Sequence, residues 1–305
     1  MSAPMRFTSL KNSLIRLSLG AAACCFLIPQ ALAADIEIID DNGRAVLLSQ
    51  PAKRVVTLTP HVTELVFEAG AGSKIVATVN ASDFPPEART LPRIGDGLTP
   101  DPEKIAALKP DLIIGWLPDQ TISLDSLNIP VFISSPQTLA DIPDSVETFG
   151  VLLGTSGTAR NRADALRKKL DSLSNRASQR PLVRVFIQAG AEPEYSLGGD
   201  HILSDVIGLC GGVNVFGESS ALAPKISIES VIAAKPDLIL VGKVGAPAAP
   251  AADTQSLAYW KVAGLPAARP GHVFMIDADV LYRPGPRLID AATRICDVIE
   301  QVRSK

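Results

Sequence analysis

Short apolar runs alternate with stretches of helical periodicity along most of this chain. Residues 36–48 alternate in the manner of a small hairpin, with Asp41-Asn42-Gly43 at its turn. Residues 54–58 predict a β-branched strand, and Thr59-Pro60 then opens a helix that carries Leu65, Val66 and Ala69 and stops at Gly70. Strands are expected at 75–79, 111–116 and 130–134, with a helix from Asp101 to Leu108 that Pro110 ends. The texture changes over 139–179, which is polar and rich in Arg, Lys and Asp. There Ala163, Leu166, Leu170 and Leu173 fall at helical spacing and predict one long helix over 155–178. The strand–helix rhythm resumes with strands at 183–187, 238–242 and 273–276. Helices are expected at 201–209, from about Ser227, and at 286–302, while the Ala/Pro-rich 246–253 reads as a flexible loop. Such a β-α-β rhythm with short connections implies parallel sheets covered by helices.

One segment recurs. Glu103 and the helix-forming residues after it run into Lys109-Pro110-Asp111-Leu112-Ile113, and Glu229 runs likewise into Lys235-Pro236-Asp237-Leu238-Ile239, with an offset of 126 at each matched position. A glutamate in a first helical turn faces the favourable end of the helix dipole, which is a sufficient local reason for either copy. The repetition goes further and implies an α/β chain of two similar lobes, each a mostly parallel sheet flanked by helices, joined by the long helix. The expected division is 1–33, an N-terminal lobe 34–153, a linking helix 154–179 and a C-terminal lobe 180–305. Two acidic points on a pseudo-twofold surface suit a twofold-symmetric partner.

Composition narrows the function. The 305 residues carry a formal net charge of −3, which argues against nucleic-acid binding by electrostatics. Mean hydropathy is +0.23, with much of the excess at the N-terminus. There Arg6, Lys11 and Arg16 precede an apolar run from Leu17 to Ile28, too short to span a bilayer, and Ala31-Leu32-Ala33 forms a cleavage motif. Residues 1–33 thus read as a cleaved secretory signal, and its loss leaves a net charge of −6. Cys24 and Cys25 leave with it. Cys210 and Cys296 remain in an exported, oxidising compartment, where a single pairing is available to them.

Catalytic signatures are missing: the chain contains no G-x-G-x-x-G, P-loop, H-E-x-x-H or G-x-S-x-G. His61, His201 and His272 are not at metal-ligand spacing, so no metal site, cofactor or catalytic residue is assigned and the chain reads as a binder. His61 alone stands at the C-terminal mouth of a strand, where open α/β sheets take ligands.

Several segments resemble the periplasmic binding proteins of cobalamin and iron-complex ABC importers. They are Arg54-Val-Val-Thr-Leu-Thr-Pro60 with Thr63-Glu64-Leu65, then Ser82-Asp83-Phe84-Pro85-Pro86, both KPDLI units, Cys210-Gly211-Gly212-Val213-Asn214-Val215-Phe216, and Asp279-Val280-Leu281-Tyr282-Arg283. The resemblance implies two lobes bridged by a helix, a soluble monomer, and small rather than wide closure. Its cobalamin-binding members imply a corrinoid ligand walled by Phe84, Trp116 and Tyr195. The segment Asp279, Val280, Leu281, Tyr282 and Arg283 contacts it, with Asp279 and Arg283 at its polar rim. They also imply a Cys210–Cys296 disulfide, and docking of Glu103 and Glu229 on a twofold-symmetric permease with its ATPase subunits. Two cleft tryptophans of such binders are absent here, near Gly95-Asp96-Gly97 and at Ala223, where haem binders place an axial tyrosine. The alternative is a haem or ferric siderophore ligand, with Arg93, Arg283 and Arg287 as the cations a siderophore needs.

Overall fold

The computed structural model describes Met1 and residues 35–177, 180–190 and 195–304, so the signal segment and the two cysteines within it lie outside the described residues. From Ala34 onward the chain forms one compact unit. Strands β1 (Ile36–Ile39) and β2 (Ala45–Leu48) make the expected antiparallel hairpin. Then follow β3 (Val55–Thr57), α1 (Pro60–Glu68), β4 (Ile75–Ala77), α2 (Pro102–Ala107), β5 (Leu112–Gly115) and β6 (Val131–Ile133). They form a four-stranded sheet of order β4-β3-β5-β6, parallel throughout.

Helices α3 (Asp141–Leu152) and α4 (Ser156–Ala177) lead to the second lobe. It contains β7 (Val183–Ala189), α5 (Ile202–Leu209), β8 (Gly212–Asn214), α6 (Ile228–Ala234), β9 (Leu238–Lys243), β10 (Ala251–Ala252), α7 (Thr254–Val262), β11 (Val273–Asp277), α8 (Ala278–Leu281) and α9 (Pro286–Arg303). The sheet order is β10-β11-β9-β7-β8, parallel except for the β10/β11 edge. That edge corrects the expected loop over 246–253: Ala251 and Ala252 pair with Met275 and Phe274, and Asp277 N–H donates to the Pro247 carbonyl, so the segment is tied to the sheet.

The period of two along each buried strand divides its side chains between two layers. Leu112, Ile114, Leu238 and Leu240 face one continuous core that also includes residues of α1, α3, α4, α5 and α9. Ile113 and Ile239 face outward to two smaller cores, one per lobe, closed by Ile105 of α2 and Val231 of α6. The repeated sequence is therefore a repeated structure. Lys109 and Lys235 both adopt φ of 47°, ending their helices. Arg54 and Arg184 each donate to the two carbonyls left open there, those of Leu108 and Lys109 and those of Ala234 and Lys235. Asp111 and Asp237 in turn accept from the backbone N–H of those arginines, at 2.8 and 2.9 Å.

Helix α4 runs within a residue of its expected limits. It buries Ala159, Ala163, Leu166 and Leu173. Arg167 reaches Asp144 and Glu147 of α3, while Lys169 and Arg176 reach Asp290 and Asp297 of α9. Each such exposed pair is worth only ~0–1 kcal/mol; the shared apolar core is what joins the lobes. The Cys210–Cys296 disulfide links the C-terminal end of α5 to α9. Among the described residues no helix is long and apolar enough to cross a membrane.

Candidate functional site

The expected ligand residues lie beyond the C-terminal ends of the parallel strands, where open α/β sheets bind ligands. Trp116 follows β5. Gln120 Oε1 accepts from the Trp116 and Leu117 backbone N–H groups, at 3.2 and 3.1 Å, and the indole Nε1 donates to Ser135 Oγ at 3.2 Å. The ring meets His61 edge-on at 5.6 Å between centroids, and 37% of the residue stays exposed. Phe84 rides on the loop after β4 and is 40% exposed. Two devices hold that loop from within. Thr57, Thr63, Thr78 and Ser82 join hydroxyl to hydroxyl at 2.8–3.0 Å, fixing the loop's first residue. Arg93 donates to the carbonyls of Val79, Ser82 and Ala88. Tyr195 is placed by backbone pairing with Ala189 and Lys225 at the end of β7, and is 45% exposed.

Asp279 and Arg283 form an ion pair at 2.8 Å. Arg283 also reaches Asp83 at 3.2 Å, across from one lobe to the other. Four residues on, Arg287 donates from Nη2 and Nε to the two carboxylate oxygens of Glu64 of α1, at 2.6 and 2.9 Å, and lies 4.6 Å over the Phe84 ring. Helix α1 is thus the hub. His61 backs Trp116, Glu64 backs Arg287, and buried Gly285 packs against both, since a Cβ there would stand 3.4 Å from Glu64 Oε2.

The middle of the 279–283 run sits deeper than its ends. The run is a single helical turn capped by Asp277, which turns Val280 and Leu281 into the interior; Leu281 joins the shared core. Tyr282 is mostly buried as well. Its hydroxyl presses on Gly242 of β9, where any Cβ would lie 1.8 Å away, and burial pushes its pKa up to about 12. Only Asp279 and Arg283 of the five present polar groups at the rim. Arg93, a candidate for an anionic ligand, is spent on backbone carbonyls.

Residues 55–280 match a family model described as periplasmic binding protein. The chain belongs to the periplasmic binding protein family. It is 34% identical over 254 residues to a vitamin B12-binding protein of Vibrio cholerae, covering 82% of this chain and 90% of that protein. The crystallised periplasmic vitamin B12 binding protein of Vibrio cholerae superposes with a TM-score of 0.73 at 32% identity, covering 84% of this chain and 99% of that one. A periplasmic haem-binding protein from Roseiflexus sp. RS-1 shares the fold, with a TM-score of 0.68 at 24% identity over 83% of this chain and 99% of that one.

This periplasmic binding protein also exposes Leu98 and Leu222, neither of them among the expected ligand residues. Leu98 follows Gly97, whose backbone packs so closely on the end of β3 that a Cβ would fall 2.2 Å from the Leu58 carbonyl oxygen. Leu222 accepts from Gly198 N–H beside the Tyr195 bridge. The signal was available, since each adjoins a position noted above for a missing aromatic.

His61 and His201 are held neutral. His61 is 3% exposed, and burial lowers its pKa to about 4, helped by Arg283. Burial lowers His201 to about 4 also, consistent with its Nδ1 accepting from Leu203 N–H as a helix cap. Among the described residues no group of three or more His, Cys, Asp and Glu side chains is placed to hold a metal. A histidine whose folded pKa lies below its unfolded value near 6.5 binds its proton more readily on unfolding, so stability falls as pH drops from 6.5 towards 4. Between pH 7 and pH 5 His61 alone accounts for about 2 kcal/mol of that loss. Glu64 opposes it, because burial raises its carboxyl and favours the folded state in acid. Urea unfolding of wild type and His61→Gln at the two pH values isolates the histidine. The wild type should lose about 2 kcal/mol more than the variant; equal losses would mean that His61 is not held neutral.

Proposed function

We propose that this chain is the periplasmic carrier of an ABC importer, capturing cobalamin or a related corrinoid between its lobes and delivering it to a membrane permease. Residues 1–33 act as the cleaved export signal, and the mature protein divides into 34–153, the linking helix 154–179 and 180–305. Phe84, Trp116 and Tyr195 are the walls, with Asp279 and Arg283 at the polar rim. A corrin is a broad apolar ring fringed with amides, and aromatic walls with a few hydrogen-bonding groups suit it.

One observation carries the choice of ligand. The cleft arginines are already neutralised: Glu64, Asp83 and Asp279 outnumber Arg283 and Arg287, and Arg93 points into backbone. Such a cleft favours an uncharged, amide-bearing ligand over an anionic iron complex. Kinship with proteins named as vitamin B12 binders supports the same reading.

The test is titration of the purified mature protein with cyanocobalamin, haemin and a ferric siderophore, followed by tryptophan fluorescence. Trp116 reports from the rim. Trp260 is fully buried and bonded to Gln188 at 2.9 Å, which makes it a constant background. Saturable quenching by cyanocobalamin alone is expected. By calorimetry, Phe84→Ala and Trp116→Ala should each weaken binding by roughly 10- to 100-fold. Silence with cyanocobalamin and saturation by an iron complex would overturn the corrinoid assignment.

A further inference from the structure

We propose that Glu64 and Arg287 are positioning residues, a preset brace beneath the ligand site that holds Phe84 and Arg283 in their ligand-facing places. The inference rests on the ligand site proposed above. Glu64 is 3% exposed on a helix whose residues 61–66 are all buried. A carboxylate placed there is costly unless it is paired and hydrogen-bonded. Its partner comes from 223 residues along the chain: Arg287, at the start of α9, meets both carboxylate oxygens. Burial pushes the Glu64 carboxyl up while both arginines pull it down.

The pair does more than join two helices. With its guanidinium plane fixed by Glu64, Arg287 lies over one face of the Phe84 ring. Arg283 stands 4.0 Å from the same Glu64 and divides its arms between Asp279 and Asp83, the residue next to Phe84. One buried carboxylate therefore organises two arginines, and these set both an aromatic wall and the polar rim. Phe84 and Asp83 belong to the first lobe, Arg283 and Arg287 to the second. The brace thus fixes the rim across the lobe boundary before any ligand arrives, which lowers the ordering cost of binding.

A residue that only glued the lobes together would weaken binding equally with or without Phe84. A residue that works by holding Phe84 would not, and a double-mutant cycle separates the two. The mature protein is prepared as wild type, Glu64→Gln, Arg287→Lys, Phe84→Ala and the double variant Phe84→Ala with Arg287→Lys. Arg287→Lys keeps the charge but loses the bidentate Nε/Nη2 contact and the planar stack. Calorimetry with cyanocobalamin should show Glu64→Gln and Arg287→Lys each about tenfold weaker than wild type, and Arg287→Lys less than about twofold weaker in the Phe84→Ala background. Equal losses in both backgrounds, or wild-type affinity in Arg287→Lys, would overturn the proposal. Arg287→Lys leaves Glu64 a cation to face, so it carries the test if Glu64→Gln does not fold. Hydrogen exchange on the unliganded proteins supplies a readout independent of ligand. Arg287→Lys should speed exchange over 82–88 and leave α4 unchanged; unchanged exchange over 82–88 would refute the brace. If wild type ignores cyanocobalamin, the corrinoid reading fails, and the exchange result still decides the brace.

Discussion

Replacing Glu103 and Glu229 together by arginine should stop corrinoid import while leaving cyanocobalamin affinity within about twofold of wild type. The expectation follows from how each glutamate is mounted. Asp101 caps α2 by accepting from the backbone N–H of Glu103 and Lys104, and Ser227 caps α6 by accepting from Ser230 N–H. Each glutamate is then the second residue of a short helix, exposed, on the outer layer of its lobe. Hydrogen bonds from its own backbone N–H and from Ser227 hold the Glu229 carboxyl below the usual range, so the charge is fixed at neutral pH. The two lobes thus present one carboxylate each from equivalent positions, the pattern a twofold-symmetric cationic surface would read. Reversing both charges turns attraction into repulsion at both contacts. The substitutions also oppose the helix dipoles, which costs about 0.3–1 kcal/mol each, so melting curves must accompany the transport assay. Import that persists in a folded double variant would remove these residues from the interface.

Much of the architecture was legible because strands and helices of an α/β chain announce themselves by length and period. The long helix expected at 155–178 is α4, at Ser156–Ala177, and the last helix begins at Pro286 as expected. What escaped were elements whose pattern is overruled by context. Helix α3 carries Ile142, Val146, Phe149 and Leu152 at helical spacing, but Pro143 and Gly150 lie inside it. Pro143 is tolerated because it falls in the first turn, where its missing N–H has no intrahelical partner to lose. Strand β8 is three residues that begin with Gly212, and only pairing with β7 makes it a strand. Helix α7 was hidden behind the Ala/Pro-rich segment, although Asp253 caps it by accepting from Gln255 and Ser256 N–H.

The site shows the same division. Single aromatics and the Asp279/Arg283 pair could be picked out by motif. The Glu64–Arg287 pairing could not, because its two halves are far apart in sequence and neither belongs to a local pattern. A glutamate between the apolar residues of a fully buried helical stretch was the available clue, since such a charge demands a partner somewhere in the chain.

Removing the disulfide should destabilise the protein by about 4–5 kcal/mol in the chain-entropy account of loop closure. The bond spans 86 residues and ties α5 to α9, so the unfolded chain loses a large closed loop when it is absent. For a chain of this size the loss corresponds to a fall in Tm of roughly 8–10 °C. The paired substitution Cys210→Ala with Cys296→Ala is the appropriate variant. Both cysteines are buried in the shared core, where serine would leave a hydroxyl without water. The native ends stay close without the bond. Arg303 of α9 donates to the carbonyls of Cys210 and Gly211 at 3.1 and 3.0 Å, and Ile295, Ile299 and Val302 pack with Val206 and Ile207 in the same core. The cost therefore falls on the unfolded state and leaves the cleft intact, so cyanocobalamin affinity at 25 °C should stay within about twofold of wild type. Urea unfolding of the oxidised wild type and the double alanine variant checks both statements. A stability difference below about 1 kcal/mol would mean that the unfolded chain keeps α5 and α9 together without the bond, and a large loss of affinity would mean that the bond also shapes the cleft.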